Sequence, residues 1–126
     1  MKPGQTLIIL LVFMMVGITV ITTSVMLSVT ASLASGNQVN SWQAYDIAES
    51  GVEDSLMILL RNPFYTASGQ TLTVGNGIAT ITVTDSGTGN LITSVGAVGN
   101  FRRTLQVTTD TTGGRLTVQS WREIYP

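Results

Sequence analysis

Apolar positions along this chain follow three successive patterns. From Gln5 to Ile21 the run QTLIILLVFMMVGITVI is uncharged, with only Gln5, Thr6 and Thr19 polar. The uncharged tract continues as TTSVMLSVTASLA, so residues 7–29 supply the roughly 20 apolar residues that a membrane-spanning helix requires. From residue 40 to 63 the pattern becomes periodic at three and four: Tyr45, Ala48, Val52, Leu56 and Leu59 form a helical stripe, with Asp46, Glu49, Glu53 and Asp54 between them. Arg61-Asn62-Pro63 then reads as a helix stop. No proline lies between Pro3 and Pro63, so the spacing predicts one helix from about 5 to 61, beginning near Gln5 or Thr6, with a weak point at Ser35-Gly36-Asn37.

Beyond Gly69 the period drops to two. Leu72 and Val74 alternate before Gly75-Asn76-Gly77, and Ala79, Ile81 and Val83 before the turn 85–90. Ile92 to Val98 is a weaker strand. Phe101, Arg103, Leu105 and Val107 alternate strongly, and Leu116 and Val118 begin a last strand running to about Ile124. Short Thr/Val-rich strands joined by Gly/Asn turns predict an antiparallel meander of four or five strands over 62–126. One face of such a sheet must be covered, and the stripe on the second half of the helix is the available cover. The predicted class is α+β, with Val52, Leu56 and Leu59 facing Ile81, Val83, Leu105 and Val107.

Composition narrows the chemistry. Net charge is −1 and no basic stripe is present, so nucleic acid is not an expected partner. Cysteine and histidine are both absent, which removes thiolate chemistry and the commonest general base and metal ligand. No nucleophile–base pair can be assembled, so catalytic residues, metal ligands and cofactors are not expected. The carboxylates on the helix, including the i,i+4 pair Glu49 and Glu53, read as a solvated face or as partners for Arg102, Arg103, Arg115 or Arg122. The turn Asp85–Asn90 has too few ligands for a calcium loop. Trp42, Tyr45, Phe64, Tyr65, Trp121 and Tyr125 read mainly as core or interface residues, with a carbohydrate- or surface-binding set as the other reading. Gly17 suits close approach by a neighbouring helix, or simply faces lipid.

Positive residues orient the span. Lys2 and the amino terminus precede it and no Lys or Arg recurs until Arg61, which puts the N-terminus in the cytoplasm and the rest outside. Ala31-Ser32-Leu33-Ala34-Ser35 has the small residues of a signal-peptidase site, but the uncharged run is too long for a signal-peptide core.

The head Met1-Lys2-Pro3-Gly4, followed by Gln5-Thr6-Leu7-Ile8-Ile9-Leu10-Leu11-Val12, resembles the processing and assembly signal of type IV pilins and type II secretion pseudopilins. Two further stretches, Ala44–Glu53 and Ile92–Gly99 with Arg102-Arg103, are similar to segments of minor pilins of the PilX-like group. The resemblance implies a prepilin leader over 1–4, with Lys2, Gly4 and Gln5 as processing residues. A prepilin peptidase would cut after Gly4 and the new Gln5 amine would be N-methylated. It implies that Leu7, Ile9, Leu10, Leu11 and Phe13 line an assembly helix. The subunit would wait in membrane lipid, be extracted by an inner-membrane assembly platform, and join other pilin or pseudopilin subunits. Its place would be first the cytoplasmic membrane and then a cell-surface pilus or periplasmic pseudopilus, serving adhesion, motility, DNA uptake or secretion. In this family the fifth mature residue is usually Glu; here it is Ile9, an absence shared with minor subunits at filament tips. The first mature residue is Gln5 rather than the usual Phe. The alternative expectation is a single-pass anchored β domain that binds a ligand through its loops and never enters a filament.

Overall fold

A computed structural model describes residues 2–125. One helix, α1 (Pro3–Arg61), precedes five strands: β1 (Ala67–Val74), β2 (Gly77–Asp85), β3 (Asn90–Val98), β4 (Phe101–Asp110) and β5 (Thr117–Ile124). A single turn of 3-10 helix, Thr112–Gly114, sits between β4 and β5. The strands form one antiparallel sheet in sequence order, so the α+β class and the meander read from the pattern are the architecture observed.

The helix starts at Pro3 rather than at Gln5 or Thr6. Proline is tolerated there because the first-turn N–H has no intrahelical acceptor, so nothing is lost by its absence. The backbone stays helical through Ser35-Gly36-Asn37, so the expected weak point is not a break. After Arg61 the helix closes through Asn62 N–H to the Ile58 carbonyl at 2.8 Å, and Pro63 prevents continuation.

The chain divides into two compact units, Met1–Asn37 and Gln38–Pro126. Within the first, every described residue is exposed apart from the half-buried Gly17. This unit contains a helical segment long and apolar enough to cross a membrane. Several of its hydroxyls are satisfied within the helix. Thr22 donates to the Ile18 carbonyl, Thr23 to Thr19, Ser24 to Val20 and Thr30 to Met26, at 2.7–2.9 Å. Such back-bonding satisfies polar side chains inside the helix, which a lipid environment requires.

The second unit holds the core. One face of the sheet packs on the last part of α1, and β3 lies at its centre, alternating buried and half-buried along its whole length. The helix residues buried there are Ala44, Ile47, Ala48, Gly51, Val52, Ser55 and Leu59. They meet Ala79, Ile81, Val83, Ile92, Val98, Leu105 and Val107. The contact is close. A Cβ built on Gly96 would lie 2.0 Å from the Ala44 carbonyl oxygen and 2.5 Å from the Ala48 nitrogen. One built on Gly51 would lie 2.4 Å from Ser94 Oγ. Small residues on both surfaces let helix and sheet backbones nearly touch, and the larger side chains fill the flanks.

Hairpin chemistry fixes the register. Gly75 opens the β1–β2 loop at φ +57° and Gly99 the β3–β4 loop at φ +55°, the positive φ that primed two-residue turns need. Both edge pairings carry an irregularity, between Ala67 and Gln70 in β1 and opposite Thr108 and Thr109 in β5.

Candidate functional site

The residues read as functional fall in two places. Lys2 precedes α1, and Gly4 and Gln5 lie in its exposed first turn. Leu7, Ile9, Leu10, Leu11 and Phe13 follow within the first unit, all exposed, from 49% at Ile9 to 75% at Phe13. Large aliphatic and aromatic side chains left in the open along several helical turns form an extended apolar surface on a segment long enough to cross a membrane.

Of the headpiece set, Val52, Leu59, Ile81, Val83, Leu105 and Val107 are buried together, whereas Leu56 is only half-buried beside them. The helix face in contact is rotated from the expected stripe towards Ala44, Ile47, Gly51 and Ser55. The physical reason is the close approach at Gly96: the contact line takes the smallest residues, and the bulkier Leu56 is displaced to its margin. The spacing Ala44, Ala48, Gly51, Ser55 was present in the sequence as a small-residue line at helical period.

The helix carboxylates do not pair with the arginines. Among the described residues the ion pair is Arg103–Glu123, joining β4 to β5. Arg103 Nη2 donates to Glu123 Oε2 at 2.8 Å and Nη1 to Ser41 Oγ at 2.7 Å. The guanidinium also stands 5.7 Å from the centre of the Tyr45 ring. Tyr125 donates to Glu123 Oε2 at 3.2 Å. Hydrogen bonding from Arg103, and then its charge, holds the Glu123 carboxyl below the usual carboxylate range, and the Arg103 guanidinium is raised by the same bond. The cluster ties the C-terminal strand to the helix at Ser41 and Tyr45. Arg122 instead donates to Gln106 Oε1 at 2.6 Å, on the opposite face. Asp110 is held below its ordinary value by the Thr112 hydroxyl and then the Thr112 N–H.

The aromatic residues are mostly outside the core. Trp42, Phe64, Trp121 and Tyr125 are exposed; Tyr45, Tyr65 and Phe101 pack partly against it. A domain with a small-residue contact line has no depth for indole rings, so they stay on its surface. No three carboxylates converge as a metal site among the described residues.

A cavity of about 340 Å³ opens at the Arg61 end of α1, between the 85–90 turn and the 111–116 loop. Its walls are cross-linked. The Thr88 carbonyl accepts the Thr111 N–H at 3.0 Å and the Thr111 hydroxyl at 3.2 Å. Asn90 Nδ2 donates to the Pro63 carbonyl at 3.2 Å, and the Asn90 N–H donates to Thr109 Oγ1 at 3.1 Å. Asp85 Oδ1 accepts the Gly87 N–H at 2.8 Å, which makes this segment a side-chain-closed turn. In the sequence the buried Asn90 reads as one more turn residue.

Compared with protein-family models, curated proteins and solved structures, the chain gives no match in any of the three.

Proposed function

We propose that this chain is a structural subunit of a type IV pilus or pseudopilus. The observation that carries the reading is one uninterrupted helix that serves two environments. Its first unit exposes apolar side chains on all sides, and its last turns form half the core of a small β headpiece. Exposed turns of this kind are held by lipid in the precursor and by neighbouring helices in a filament, where apolar side chains replace lipid as the solvent. The leader Met1–Gly4 supplies the cleavage signal and Gln5 the methylated amine. Ile9 supplies no carboxylate to a neighbouring amine, which favours a minor, tip-proximal place. A buried ammonium without a partner costs several kcal/mol, so a subunit that cannot provide the acceptor suits the end of a filament better than its shaft.

Immunogold labelling of sheared surface filaments tests the assignment. Sparse label, or label at one end, is the expected result. Dense label along whole filaments would make this a major subunit, and no label on any filament or pseudopilus would remove the structural role. The cavity beside Leu59 and Phe64 favours a second reading, an anchored binding module, in which the chain remains in the membrane fraction and no filament carries it.

A further inference from the structure

The cavity at the end of α1 has the size and lining of a small binding site, whether or not the chain enters a filament. Its volume of about 340 Å³ lies at the lower end of the range for ligand pockets. Leu59, Leu60, Phe64 and Leu116 supply an apolar lining, and Leu60 and Phe64 remain 68% and 88% exposed, so this surface is uncovered. Two charged groups also line it, Asp85 from the 85–90 turn and Arg115 from the 111–116 loop. Arg115 has no carboxylate in ion-pair reach among the described residues. Asp85 uses one oxygen on the Gly87 N–H and keeps the other as an acceptor. The hydrogen bonds that join Thr88 to Thr111 and Asn90 to Pro63 hold all three wall segments together, so the shape exists before any ligand arrives. A free cation on one loop, an acceptor on the other and an apolar lining match a ligand with an anion, an N–H donor and one apolar side chain.

We propose that this cavity binds a single apolar amino-acid residue bearing a free carboxylate and an acylated nitrogen. The carboxylate meets the Arg115 guanidinium, the amide N–H donates to Asp85, and the side chain lies against Leu60, Phe64 and Leu116. The volume holds about one such residue. The same chemistry occurs in N-acylated amino acids and at the C-terminal end of a polypeptide.

The test titrates the full chain in detergent micelles, isotopically labelled, with N-acetyl-L-leucine, N-acetyl-L-leucine amide and a hexapeptide ending in leucine with a free carboxylate. The proposal expects saturable shifts of the Gly87, Gly114 and Arg115 amide signals by the free acid. The amide, which lacks the charge, binds at least about tenfold more weakly, the factor one charge-assisted hydrogen bond is worth. Arg115→Gln, a surface change, produces a similar loss while the β3 and β4 signals stay in place. Leu60→Asp abolishes binding of all three probes. Equal affinity of the N-acetyl residue and the hexapeptide upholds a site for the residue alone; tighter binding of the hexapeptide upholds a site for chain ends. Absence of saturable shifts, equal binding of acid and amide, or unchanged affinity in Arg115→Gln would overturn the proposal. So would concentration-dependent shifts at these amides without any probe, since a second copy would then be the occupant.

Discussion

The two stretches of α1 spend their hydrophobicity in opposite ways. Residues 3–37 are the richest in Leu, Ile, Met and Phe, and they bury almost nothing. Residues 38–61 carry Ala44, Ala48, Gly51 and Ser55 on the contact line, and these are almost wholly buried. Burial within the folded headpiece is therefore selected by fit, while apolarity in the first stretch is selected by what surrounds it. A small domain gains from close backbone approach because it allows many weak dispersion contacts per residue. A lipid-facing helix needs only apolar side chains and satisfied backbone groups. Substitutions should follow this division, with size decisive in one stretch and polarity in the other.

The largest effect is expected at Gly96. An added methyl would meet helix backbone at Ala44 and Ala48, which cannot give way as a side-chain tip can. Gly96→Ala should destabilise a fragment beginning at residue 38 by about 4 kcal/mol or more, beyond the usual cost of overpacking. Urea unfolding measures it, and a loss under about 1 kcal/mol would mean the helix does not approach the sheet so closely. Next comes Leu59→Ala, a fully buried truncation that should cost about 2–5 kcal/mol in the same assay. Leu56→Ala should cost less, about 1–2 kcal/mol, because Leu56 is only half-buried. A larger loss for Leu56 than for Leu59 would restore the stripe read from the sequence.

That reversal marks where sequence reading stopped. The helix, its membrane-length segment, the α+β class and the hairpin turns were legible because each rests on a local signal: length of the uncharged run, absence of proline, or a glycine at a turn. The helix face was not, because counting apolar residues weights Tyr45 and Leu56 above Ala44, Gly51 and Ser55. The central β3 reads as the weaker strand for the same reason, since Ser94 and Gly96 interrupt its apolar alternation while making the close contact possible. The partner of Arg103 was hidden because Glu123 lies on a strand whose register depends on an irregularity opposite Thr108 and Thr109. The cavity depends on three loops meeting, which no single stretch announces.

A smaller effect belongs to the Arg103 cluster. The Glu123 carboxyl titrates below its ordinary value in the folded state, so its contribution is complete above the normal Glu range. It is lost as pH falls below the normal Glu range and through the depressed value. Arg103→Ala should cost about 1–2 kcal/mol at neutral pH, reduced from the usual worth of charged hydrogen bonds because the pair is partly in water. Glu123→Gln should flatten the acid limb of a stability–pH curve, and an unchanged limb would put the acid sensitivity elsewhere. The smallest effect on the headpiece is expected from the first stretch. Leu11→Arg should leave its unfolding within about 0.5 kcal/mol of the parent. The same change should impair membrane insertion, since a central arginine costs about 3 kcal/mol there.

The central claim, that the exposed stretch is an assembly helix kept by the mature subunit, is tested most directly by intact-mass analysis of protein extracted from membranes of a cell with a prepilin peptidase. The predicted mass is that of a chain beginning at Gln5 with one added methyl group and the entire apolar helix retained. A chain beginning near Ser35 would contradict the account, because the helix would then be a discarded signal. An uncut chain beginning at Met1 would contradict it equally and leave a simple membrane anchor.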